Sequence, residues 1–371
     1  MNLKTIFCAT LITASLAACK KSGCTDEAAD NYNAKAKKDD GSCMYSYPVP
    51  SNYEFNRNGA TSVNYSGQTD RLNQLRELVG KIETGKTQTI NSVDLKDMFA
   101  NTNGNGNGNF SFTSSRQLKD KCFSIDQTLF EQWLDSAALA SQSFAQTASN
   151  GQAGLLSNGT SAYLFTSSGF DVKEITEKLG MGAIFMYQAL NVYFGSTNMS
   201  ADNASLVTGN NYTAMEHYWD EAFGYFGVDK NFPTVPATDF WSEYCEAQNA
   251  SLNSNSIMMN NFIKGRAAIV AKKYTDRDEA IRQISIMWEK IAAKQAITYL
   301  EAAKNTANDA TRLHKLSEAY GFVYSLRYAP TATRKMTQTE VSNTINLFGA
   351  NLWNLNVSDI NNIITVLNSK Y

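Results

Sequence analysis

From Ser51 to the C-terminus, apolar side chains recur every three or four residues. Leu72, Leu75, Leu78, Val79 and Ile82 mark one such stripe, the spacing that puts side chains on a single helix face. The same rule predicts helices over residues 126–145, 172–194, 212–226, 257–274, 276–303, 309–328, 337–352 and 357–367. Start signals support them: Thr275-Asp276, Asn308-Asp309 and Thr337-Gln338-Thr339-Glu340 supply side chains that can cap a helix. No run alternates with period two. Residues 101–109 are a low-complexity Asn-Gly stretch, which reads as a flexible, exposed loop. The predicted class is all-α, a multi-helix bundle, and the scarcity of proline, 5 residues, suits it.

The first 50 residues follow another pattern. Lys4 gives a short positive start and residues 6–16 an apolar stretch too short to span a bilayer. Leu16-Ala17-Ala18-Cys19 then matches a lipobox, which predicts a signal peptide over 1–18 and a lipid on Cys19; an ordinary signal with an incidental cysteine is the alternative. At about 0.8 kcal/mol per buried CH₂, several acyl chains make a durable anchor. Lys20-Lys21 follow, with no Asp directly after Cys19, so the expected address is the outer membrane, on either face. The chain would thus meet a membrane through its lipid. A net charge of −2 argues against nucleic acid as a partner.

Of the 6 cysteines, Cys8 leaves with the signal and Cys19 carries lipid. The four that remain lie in an oxidising compartment. Cys24 is expected to pair with Cys43; Cys122 and Cys245 can pair with each other or stay as buried thiols. Residues 19–50 form a stapled unit too short for a core of its own. It resembles a short Cys-bracketed module of secreted bacterial proteins and leads into the extended linker Tyr47-Pro48-Val49-Pro50. Asp26, Asp30, Asp39 and Asp40 lack the spacing of an EF-hand loop, so the module reads as a spacer.

The strongest motif is a repeat. Residues 217–225 read HYWDEAFGY and residues 314–322 read HKLSEAYGF. Both are His-x-x-x-Glu-Ala-aromatic-Gly-aromatic, and the chain's 2 histidines open them. This implies an internal duplication, two helical halves related by an approximate two-fold. His, Glu and Gly fall on one helix face. If the halves pack face to face, His217, Glu221, His314 and Glu318 converge into a site for zinc, iron or a similar divalent ion. Otherwise each His–Glu pair serves packing. Asp220 has Ser317 as its counterpart, so such a site would be asymmetric.

Together with Tyr53-x-Phe55-x-x-x-Gly59 and Tyr65-Ser66-Gly67-Gln68-Thr69-x-Arg71-Leu72, these motifs resemble the DUF4856 family of bacterial lipoproteins over nearly all of residues 51–371. That family is similar to the imelysin-like proteins, which are duplicated helical bundles tied to iron uptake, some once labelled peptidases. Their Gly-x-His-x-x-Glu hallmark corresponds here to Met215-x-His217-x-x-Asp220. The resemblance therefore implies His217 and Asp220 as metal ligands, with glycine and glutamate replaced.

Three functions follow as expectations. The first is an outer-membrane lipoprotein whose helical domain binds a small ligand or a metal and serves iron acquisition. The second is a scaffold that binds a surface protein partner and no metal. The third and weakest is a metallopeptidase, since the chain has neither His-Glu-x-x-His nor a Gly-x-Ser-x-Gly elbow. Lys264-Gly265-Arg266 reads as a solvated helix face, Trp241 and Tyr244 as core or interface, and Arg327 as a partner for Glu318 or Glu221.

Overall fold

The computed structural model describes residues 21–27, 29–237 and 239–371; the predicted signal and Cys19 lie outside them. The described residues divide into two compact units, one ending at Pro48 and the other running from Val49 to Tyr371.

In the first unit Cys24 and Cys43 are joined by a disulfide. Asn31 fastens the closed loop, donating to the Ser42 carbonyl at 2.6 Å and accepting from the Met44 N–H at 2.7 Å. The Tyr45 hydroxyl donates to Asp26, while Asp39 and Asp40 accept from the N–H groups of Gly41 and Ser42. Asp39 and Asp40 are thus tied into local turns.

The second unit is helical, with two small antiparallel hairpins. Among the described residues it contains β1 (Asn56–Arg57), β2 (Ala60–Thr61), α1 (Ser66–Glu83), α2 (Ser92–Ala100), α3 (Gln127–Ser141), β3 (Gly154–Ser157), β4 (Ala162–Phe165), α4 (Val172–Gly180), α5 (Ala214–Phe226), α6 (Phe240–Ala247), α7 (Asn249–Leu252), α8 (Ser254–Val270), α9 (Tyr274–Lys304), α10 (Asp309–Ser325), α11 (Gln338–Asn346) and α12 (Val357–Asn368). α1 buries the stripe read from its sequence, Leu72, Leu75, Leu78, Val79 and Ile82. The 31-residue α9 lies between α8 and α10. Its Trp288 is wholly buried and edge-on to Trp241 and Phe226, and the wholly buried Trp219 donates to the Phe262 carbonyl of α8.

Two of the three start signals act as caps, whereas Thr275 and Asp276 lie inside α9, whose start after Lys273 has no side-chain cap. Asn308 accepts from the Thr311 N–H, and Thr337 forms a reciprocal capping box with Glu340. The helix expected over 337–352 ends at Asn346, and α2 and α6 were not anticipated because 8 or 9 residues give too few turns for a period to show. Beyond Gly180, α4 continues as π-helix through Met181–Met186 and Gln188–Tyr193. The Asn-Gly stretch is a compact series of tight turns: Asn101, Asn103 and Asn107 take left-handed φ, and the buried Asn101 side chain donates to the carbonyls of Ser114 and Arg116.

Lys264 and Arg266 are buried, not solvated. Arg266 lies 2.9 Å from both Glu216 and Asp220 and over the Phe55 ring, so two carboxylates meet the cost of burying its charge. Trp241 and Tyr244 are core. Cys122 and Cys245 remain unpaired and buried, and burial pushes the Cys245 thiol up to about 12. Arg327 turns to Asp126 and the Tyr324 ring instead of Glu318 or Glu221.

The duplication extends to a second pair of helices. α5 packs on α1 and α10 packs on α4, and the partners share a pattern: Thr69-Asp70-Arg71-Leu72 in α1, Thr176-Glu177-Lys178-Leu179 in α4. A hairpin precedes each partner. The glycine of each repeat sits at the crossing. A Cβ on Gly224 would overlap the side chains of Tyr65 and Gln68, and one on Gly321 would overlap Lys178. Close approach explains a residue that is otherwise unfavourable inside a helix.

Candidate metal centre

In the second half, His314 on α10 faces Asp171, the residue that caps α4. Asp171 Oδ1 accepts from the N–H groups of Lys173 and Glu174, which fixes its carboxylate at the helix start. Its Oδ2 lies 2.9 Å from His314 Nδ1. The other ring nitrogen, Nε2, lies 3.3 Å from Glu318 Oε2. The imidazole is therefore held between two carboxylates, and either nitrogen can carry the proton. Tyr163 of β4 stacks on the ring at 4.2 Å. Glu174, one turn into α4, completes the group. Asp171, Glu174 and His314 each offer a ligand atom within 4.8 Å of the others, all three residues are buried, and no other such group of three occurs among the described residues.

The charges around the group are balanced unequally. Burial raises the Asp171 carboxyl above its ordinary range, against the pull of the His314 bond. Burial opposes ionisation of Glu174 too, but Lys178 and Lys173 outweigh it and hold that carboxyl well below the usual range. Lys178 is 1% exposed and lies 2.8 Å from Glu174. Lys315 pairs with Glu318 at 2.8 Å. A cavity of about 120 Å³ opens onto Asp171 and Glu174, walled by Ile82, Lys86, Tyr163 and Lys173.

The first half repeats the scaffold with different chemistry. His217 stacks on Tyr212 at 4.5 Å, and its Nδ1 lies 3.1 Å from the carbonyl of Asn64, just ahead of α1. A carbonyl only accepts, so this nitrogen carries the proton. Nε2 lies 3.9 Å from Glu221, whose carboxylate takes hydrogen bonds from Gln68 and Tyr193. Asn64 and Gly67 stand where the other half has Asp171 and Glu174.

The five expected ligands, His217, Asp220, Glu221, His314 and Glu318, do not gather into one site. Each histidine turns to the helix partner of its own half, His217 to the Asn64 carbonyl ahead of α1 and His314 to Asp171 at the start of α4. Asp220 is the wholly buried anchor of the Arg266 network, accepting from the Tyr53 hydroxyl at 2.7 Å, Arg266 at 2.9 Å and the Asn64 N–H at 3.2 Å. Its counterpart Ser317 accepts from the Asp171 N–H at 2.8 Å, the same backbone contact without a charge. His314 and Glu318 belong to the centre found here. Asp171, Glu174 and Lys178 were missed, although the match between residues 69–72 and 176–179 pointed to that helix.

The family model described as Domain of unknown function (DUF4856) matches residues 50–371. No curated protein and no solved structure matches the chain.

Proposed function

The chain belongs to the DUF4856 family, and from that premise we propose that it is a lipid-anchored outer-membrane protein whose helical domain binds a divalent cation at Asp171, Glu174 and His314. The observation that carries the reading is the convergence of one imidazole and two carboxylates on a buried spot beside a cavity. One nitrogen and two oxygens suit zinc, iron(II) or manganese. The ion would take His314 Nδ1, Asp171 and Glu174. The proton then moves to Nε2 and is donated to Glu318, which orients the ring as a second carboxylate does in many metal sites. The anchor rests on Leu16-Ala17-Ala18-Cys19, and a role in metal acquisition fits a cation site carried on a membrane lipid.

A second reading, a scaffold without metal, is favoured by Lys173 and Lys178, which already neutralise Glu174. Metal analysis of the full chain, purified from membranes in detergent, separates the two. About one equivalent of a transition metal, lost on chelation and regained from zinc or iron, is the expected result. No uptake of either ion would overturn the cation reading. Loss of membrane fractionation in Cys19→Ala tests the anchor.

A further inference from the structure

The two ammonium groups on Glu174 are not equivalent. Lys178 is buried in the crossing of α4 and α10, bridges Glu174 and Glu177, and lies against the Tyr244 and Phe322 rings. It has nowhere to go. Lys173 is about one-third exposed, at 32%. Its Nζ lies 2.8 Å from Glu174 Oε1 and 3.3 Å from Glu177 Oε2. It also walls the cavity that reaches Asp171 and Glu174. We propose that Lys173 is a tethered counter-ion, displaced from Glu174 by an incoming divalent cation, so that the centre works by exchanging an ammonium for a metal ion. This rests on the cation-binding reading above.

The geometry makes the exchange inexpensive. Glu177 is already within reach of Lys173, so the released ammonium keeps a partner and no charge is stranded. The cavity, about 120 Å³, has room for several waters and hence for an ion that still carries part of its shell. Four carboxylates, Asp171, Glu174, Glu177 and Glu318, face three ammonium groups, Lys173, Lys178 and Lys315. At the Glu174 oxygens a singly charged ion would only match the ammonium it displaces. A doubly charged ion gains a full unit against the same oxygens. The exchange therefore favours divalent over monovalent ions at Glu174.

The test is titration of the full chain with zinc alone, for wild type, Lys173→Met and Lys173→Arg, with thermal unfolding to confirm that each variant is folded. Removing the competitor should tighten zinc binding by about 10-fold or more, a factor that corresponds to about 1.4 kcal/mol. Arginine, which can fork across both Glu174 oxygens, should weaken it relative to wild type. Zinc binding by Lys173→Met alone would also support the exchange. Equal affinity in wild type and Lys173→Met, or weaker binding by the methionine variant, would overturn it and leave the cation reading in place. No zinc binding by either would overturn that reading and the exchange with it.

Discussion

His217 and His314 open the same nine-residue pattern, stack on a tyrosine, and face the start of a partner helix held close by a glycine. Their surroundings nonetheless differ in charge. His314 meets two carboxylates, with a third one turn away. His217 meets a backbone carbonyl and a single glutamate already bonded by Gln68 and Tyr193. The first histidine is also more open, with 29% of its side chain exposed against 11%. A duplicated frame has thus kept its packing in both halves while the groups at the partner helix's first turn diverged, Asn64 and Gly67 on one side, Asp171 and Glu174 on the other. The lesson is that the repeat itself encodes the frame, and the partner helix decides the chemistry.

The contrast can be broken at several points. The largest effect is expected from Glu174→Gln, which leaves the buried Lys178 with Glu177 alone. Removing one partner from a buried ion pair costs about 3–5 kcal/mol, and the retained Glu177 should hold the loss near the lower end in urea unfolding. Gly67 has no such role, so Gly67→Ala should cost far less. Next come the crossing glycines. Gly321→Ala and Gly224→Ala each force a Cβ into the partner helix, and overpacking of this kind costs about 1–3 kcal/mol. Similar losses in both would confirm that the halves share a frame; a neutral result at either would break the symmetry of packing.

A smaller effect lies in the acid limb of stability. The Glu174 carboxyl is held below its ordinary value of 4.5. The unfolded chain therefore takes up this proton first, and the stability Glu174 contributes is complete above about pH 4.5 and lost as pH falls toward its folded value. Asp171 has the opposite sign. Its carboxyl is raised above 3.8, so its contribution is present at low pH and lost as pH rises through the raised value. Urea unfolding between about pH 3 and pH 7 should show stability rising less steeply in Glu174→Gln than in wild type, and more steeply in Asp171→Asn. Equal slopes would contradict the charge assignment of the centre. The smallest effect is expected at the partly exposed His217, where alanine should cost about 1 kcal/mol or less, the worth of one hydrogen bond to the Asn64 carbonyl.

Much of the fold was legible because helices write their period into the chain. The stripe of α1 and the caps at Asn308 and Thr337 were read from residue type and spacing alone. Short elements such as α6, and the hairpins, escaped because they carry less than a full pattern. Arg266 was misread because a basic residue on a helix normally points to water; that Glu216 and Asp220 from α5 would meet it is tertiary information. The site was half legible for the same reason. His314 and Glu318 share one helix, and their spacing showed it, whereas Asp171 lies 143 residues away from His314. Its proximity follows from the packing of α4 on α10, which only the weaker match between residues 69–72 and 176–179 foreshadowed.

The two histidines are alike in frame and unlike in chemistry. Native mass spectrometry of the full chain with zinc, comparing wild type, His314→Ala and His217→Ala, tests this difference most directly. One ion is expected in wild type and in His217→Ala, and none in His314→Ala. Loss of the ion in His217→Ala, with retention in His314→Ala, would contradict it, as would loss in both.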